Sequence, residues 1–66
     1  MLKLHDVVRL KKDNKKYGIP AETIGAIIDV HGDGSAYTVE FVDGEGNTYE
    51  EALFTEFRED DLILVK

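Results

Sequence analysis

Cysteine and tryptophan are both missing from this chain, and proline occurs once, at Pro20. Without cysteine there is no disulfide framework and no thiolate metal site. A chain of 66 residues is one domain, and a domain this small withdraws only about 60% of its unfolded surface from water. Its fold therefore depends on a small apolar core with no covalent or metal staple. Long apolar runs are also lacking, and none approaches the ~20 residues that cross a bilayer as a helix. Met1 leads directly into mixed charged and apolar residues, with no basic stretch, apolar run and small-residue cleavage site in series. The expectation is a soluble, cytoplasmic protein.

The net charge is −6 and is unevenly spread. Residues 1–16 carry six basic side chains against Asp6 and Asp13, a balance of +4; residues 17–66 carry twelve acids against Arg58 and Lys66, a balance of −10. An acidic domain is a poor partner for phosphate backbones, which require clustered positive charge. It is better suited to a basic protein surface.

Period-two patterns dominate. His5–Lys11 alternates with Val8 and Leu10 inward. Lys12–Ala21 has no period and ends in Gly-Ile-Pro, which marks a loop. Thr23–Val30 is rich in β-branched residues, and Ile24, Ala26, Ile28 and Val30 would share a face. His31–Ser35 holds Asp-Gly between two strand patterns, a hairpin signal. Ala36–Val42 alternates with Tyr37, Val39 and Phe41 on one side.

Asp43–Asn47 is a second glycine-rich turn. Thr48–Phe57 mixes helix formers (Glu50, Glu51, Ala52, Leu53) with strand formers (Tyr49, Phe54, Thr55, Phe57) and reads as a fourth strand. Arg58–Asp61 is a tight acidic connection, and Leu62–Val65 closes the chain as a fifth strand. The expected architecture is all-β, a small five-stranded barrel that hides its edges by closure.

These elements in this order resemble a bacterial family of unknown function. The resemblance rests on Val7-Val8-Arg9-Leu10, a long loop, the Gly18-Ile19-Pro20 bend into Ile24-Gly25-Ala26-Ile27-Ile28, Tyr37-Thr38-Val39-Glu40-Phe41, and Asp60-Asp61-Leu62-Ile63-Leu64-Val65. It implies a short protein with an SH3-like barrel, similar to the nitrile hydratase beta-subunit barrel and to ribosomal and transcriptional KOW modules. It brings no catalytic motif. The chain departs from the family's pattern in the longer Gly46–Phe57 stretch.

Two stretches imitate ligand loops. Gly18–Val30 has glycines and a proline before a β-branched run, but no lysine and hydroxyl follow to open a phosphate-binding helix. Pro20 there stiffens a bend, Gly18 takes an unusual φ, and Gly25 lets a neighbouring group approach the strand. Asp29–Glu40 matches a calcium loop at its first, fifth, sixth and twelfth positions, yet His31 stands at the third and strands flank it where helices are needed. On an extended chain Glu40 lies far from the turn. No cofactor or metal is expected.

His5 and His31 are the two imidazoles, and no base–orienter pattern surrounds Ser35 or a threonine. The chain reads as a non-enzyme. Two binding readings remain. In the first, Glu50, Glu51, Glu59, Asp60 and Asp61 form an acidic surface that docks on an unidentified protein partner, as the antitoxin or immunity member of a pair would. In the second, Lys11, Lys12, Lys15, Lys16 and Tyr17 contact RNA or the ribosome, with lysines on phosphates and the ring on a base. A homodimer that pairs open strand edges is a third expectation. The SH3 polyproline groove is not carried over, since there is neither tryptophan nor an Ala-Leu-Tyr-Asp-Tyr-like segment.

Overall fold

The β-branched pairs Val7-Val8 and Ile27-Ile28 seed a four-stranded antiparallel sheet in a computed structural model that describes residues 1–65. Its strands are β1 (Val7–Leu10), β2 (Ile24–His31), β3 (Ala36–Phe41) and β4 (Leu62–Leu64), in the spatial order β3-β2-β1-β4. Two 3-10 helices, Glu50–Phe54 and Glu59–Asp61, lie between β3 and β4. The all-β expectation holds, with four strands in place of five. No helix among the described residues is long and apolar enough to cross a membrane.

The inner face carries the core. Val8, Leu10, Ile27, Tyr37, Val39, Phe41 and Leu62 point there, as alternation on β1 and β3 requires, and Leu2, Ile19, Ala52 and Phe57 cover them. The buried Tyr37 hydroxyl accepts the Leu2 N–H at 3.2 Å, so the amino-terminal segment closes one end of the core with its polar group satisfied. Phe41 and Phe57 meet edge to face, centroids 5.1 Å apart.

On β2 the single face expected for Ile24, Ala26, Ile28 and Val30 is corrected, since Val30 packs against the core beyond the bulge while Ile24 and Ile28 do not. Gly25 and Ile27 face inward, whereas Ile24 and Ile28 are 43% and 44% exposed. A Cβ on Gly25 would come within 2.8 Å of both Phe41 Cδ1 and Val39 Cγ1. The glycine is needed because the β3 side chains lie directly across it. Beyond Ile27 the register with β3 slips at a β-bulge, Ile27 pairing with Val39 and Asp29 with Thr38, and Ile28 is turned outward.

The expected fourth strand is also corrected. Glu50–Phe54 folds as a 3-10 helix, because Glu-Glu-Ala-Leu favours helix and only Ala52 of that stretch is buried. Single bridges survive on either side, Val42 with Thr48 and Tyr37 with Phe57.

The outer face consists of two cross-strand rows. One runs Ile63, Arg9, Ile24 and Val42; the next runs Val65, Val7, Ala26 and Glu40. Arg9 Nη1 grips both carboxylate oxygens of Glu22, 2.6 Å from Oε1.

Candidate functional site

The two rival surfaces of the sequence adjoin in space. After β1 the chain turns on itself, Asn14 and Ile19 exchanging both backbone hydrogen bonds at 2.8 and 2.9 Å. Buried Ile19 pins this loop to the core, and Gly18 takes φ +67 so that the chain can reverse. Asn14 Oδ1 accepts the Tyr17 N–H, and Asp13 Oδ1 accepts that of Ala21. The basic segment is thereby a folded hairpin with a fixed direction.

Its first arm faces acids. A groove of about 670 Å³ has Leu10 and Phe57 in its lining, Lys11, Lys12 and Asp13 on one side, and Glu56, Asp60 and Asp61 on the other. The Lys11 N–H donates to the Asp61 carbonyl at 2.9 Å, which joins the two walls. At the far end of the hairpin, Tyr17 and Tyr49 line a smaller cavity of about 210 Å³ with Glu50 and Glu51. Lys16 Nζ sits 5.4 Å from the centroid of the Tyr17 ring, within reach of a cation–π attraction. Carboxylates therefore stand opposite both arms of the lysine loop, and they lower the positive potential that a phosphate would meet.

The five acids have different duties. Asp61 Oδ2 accepts the Arg58 N–H at 2.9 Å while the Asp61 N–H returns to the Arg58 carbonyl, which caps the second 3-10 helix. Glu59 lies 3.5 Å from the amino-terminal ammonium. Among the described residues, the side chains of Glu50, Glu51 and Asp60 have no hydrogen-bond or ion-pair partner. All three are exposed.

Phe54 is a residue that sequence reasoning missed. It counts among the strand formers of the Thr48–Phe57 stretch; on the 3-10 helix it is 91% exposed, lying in the chain between Glu50-Glu51 and Glu56 and Glu59. A shallow depression formed with Ser35, Ala36, Glu56 and Arg58 adjoins it. An isolated Glu-Glu-Ala-Leu-Phe signal could have suggested this, had helix been preferred there.

A second feature was not anticipated. His31 Nε2 lies 2.7 Å from Thr38 Oγ1, and its Nδ1 lies 3.9 Å from Glu56 Oε2. The order hydroxyl, imidazole, carboxylate is that of a nucleophilic triad. At 3.9 Å, however, the carboxylate lies beyond hydrogen-bond reach and does not fix the tautomer. The contact ties the β2–β3 hairpin to the segment entering Phe57.

The calcium-like stretch forms the β2–β3 hairpin, with Asp33 in its turn and Glu40 paired with Ala26 well along β3. Among the described residues no three His, Asp or Glu side chains gather as a metal site. Asp43 nucleates the next turn. Its Oδ1 accepts the N–H groups of Glu45 and Asn47 at 2.8 and 2.9 Å, and these backbone donors, Asn47 first, hold its carboxyl below the usual 3.8.

No curated protein and no solved structure matches the chain. Residues 4–63, nearly the whole sequence, match the model of a domain of unknown function, DUF4926. The chain belongs to the DUF4926 family.

Proposed function

We propose that this protein is a non-catalytic protein-interaction module whose segment 50–61 docks on a basic partner protein. The observation that carries this reading is Phe54. Phe54 is 91% exposed in a segment that also carries the exposed Glu50, Glu51, Glu56 and Glu59, and Glu56 and Arg58 lie in the depression beside it, so an aromatic anchor sits within a predominantly acidic stretch. Interface cores are enriched in aromatic residues, and complementary charge at the rim steers the encounter. Glu50, Glu51 and Asp60, which have no internal partner among the described residues, supply that charge. Glu59 and Asp61 shape the segment.

The antitoxin or immunity member of a pair is the specific form of this reading, acting in a bacterial cytoplasm. Acidity and small size support it. An SH3-like barrel, similar to KOW modules and the nitrile hydratase beta-subunit barrel, is the fold we propose. The long loop after β1, the single bridge of Phe57 to β3 and the 3-10 turn before β4 support that reading.

The other reading is an RNA or ribosome contact through Lys11, Lys12, Lys15, Lys16 and Tyr17. Lys15 and Lys16 favour it, being exposed and outside the groove that Asp60 and Asp61 line. A photo-reactive phenylalanine analogue at position 54, irradiated in native extract, tests the choice. The docking module gives one dominant protein adduct. Adducts to RNA alone, or none beside an efficient control site, contradict it.

A further inference from the structure

The outer face of the sheet is a second surface, and the docking segment does not cover it. The first 3-10 helix packs by Ala52 on the core side and leaves the two rows of the outer face uncovered, with Ile24, Val65 and Glu40 exposed and the other five side chains half-buried. Seven of their nine side chains, counting Ile28 beside them, are apolar. Ile24, Ile28 and Val65 keep between 43% and 49% of their surface exposed. Strands with β-branched residues on both faces read as buried on both. Monomeric proteins seldom leave such a face contiguous and open.

We infer that this face is an interface between two copies of the chain, packed sheet on sheet about a two-fold axis that crosses β2 near Ile24 and Ala26. A contact of this symmetry requires a surface complementary to itself. The rows themselves carry one charge of each sign, Arg9 on β1 in one row and Glu40 on β3 in the next, with Glu22 clasped to Arg9 at their margin. The point midway between them falls on β2, between Ile24 and Ala26. A two-fold axis lying in the interface there seats Arg9 of each copy on Glu40 of the other, twice over, around an apolar centre.

Arg9 is equipped for this. Its Nη1 serves Glu22, and among the described residues its other side-chain N–H groups have no partner. The acidic segment 50–61 covers the inner side, so apposing the outer faces keeps the most negative parts of two −6 chains apart. The contact is independent of the docking reading, and either can fail alone.

Sedimentation equilibrium of the full chain from micromolar to millimolar concentration is the test. The expected result is a concentration-dependent rise from the 7.4 kDa monomer toward twice that mass. Ile24→Asp and Ile28→Asp should each weaken association at least about tenfold, one decade in the dissociation constant. Arg9→Glu and Glu40→Arg should each weaken it, and the doubly swapped chain should recover it. Amide spectra confirm the fold of every variant, and if the isoleucine variants do not fold, the charge-swap cycle decides. A chain that stays monomeric to millimolar concentration overturns the inference. So does a dimer indifferent to both the isoleucine and the charge changes.

Discussion

Tyr37 and Phe57 exchange both backbone hydrogen bonds, Tyr37 N–H to Phe57 carbonyl at 2.7 Å and Phe57 N–H to Tyr37 carbonyl at 2.8 Å. This one-residue bridge, twenty positions apart in the chain, holds the 3-10 segment against β3. The Phe57 ring adds the edge contact with Phe41. Phe57→Ala removes a buried ring from a core of eleven side chains. It should cost about 3–5 kcal/mol, a large part of the stability of any small domain. Urea unfolding of Phe57→Ala beside Phe57→Leu checks this, with the leucine variant losing much less.

Gly25 and Gly18 should respond differently to alanine. At Gly25 the new methyl meets Phe41, Val39 and the Glu40 carbonyl at 2.8–2.9 Å, and overpacking of this kind costs about 1–3 kcal/mol. Gly18 has open space around it but φ +67, so the cost is conformational, roughly 1–2 kcal/mol. Phe41 and Val39 methyl and ring resonances should shift in Gly25→Ala. They should stay in place in Gly18→Ala.

Asp43 makes one turn pH-sensitive. Its carboxyl is held below 3.8 by the Asn47 and Glu45 N–H groups. A group with a lower pKa in the folded state contributes stability above its unfolded pKa and loses it as pH falls through the folded value. The contribution is therefore complete at neutral pH and disappears in acid, below the ordinary aspartate range. Carboxyl carbon shifts followed through an acid titration should place the Asp43 midpoint under 3.8. Asp43→Asn should remove the acid loss specific to this turn.

Phe54→Ala separates stability from binding. With its ring in water the substitution should change folding free energy by no more than about 0.5 kcal/mol. Its effect on the partner's affinity should exceed about 1 kcal/mol, as truncation of an interface anchor does. A chain that melts normally but no longer retains its partner is the expected outcome.

Much of this arrangement is legible in the residues, and the exceptions have physical causes. Val8 and Leu10, and Tyr37, Val39 and Phe41, alternate against polar neighbours, so their inward direction is readable from period two. Gly25 reads correctly as a place of close approach. Ile24, Ile27 and Ile28 are equally apolar, and nothing local says which faces the core when both faces are apolar and a bulge intervenes. The Thr48–Phe57 stretch balances two propensities, and tertiary contacts at Thr48 and Phe57 leave the interior free to coil. Site legibility fails at long range. Lys11 and Asp60, apparent rivals in sequence, face one groove because β4 pairs with β1.

The most direct measurement of the central claim is affinity capture of the tagged protein from native extract, divided into nuclease-treated and untreated halves. Wild type, Phe54→Ala and Lys15→Glu/Lys16→Glu are compared. The docking account predicts a stoichiometric protein partner that survives nuclease, is kept by the double lysine variant and is lost from Phe54→Ala. RNA or ribosomes that co-purify, vanish with nuclease and depend on Lys15 and Lys16 would contradict it and assign binding to the basic hairpin.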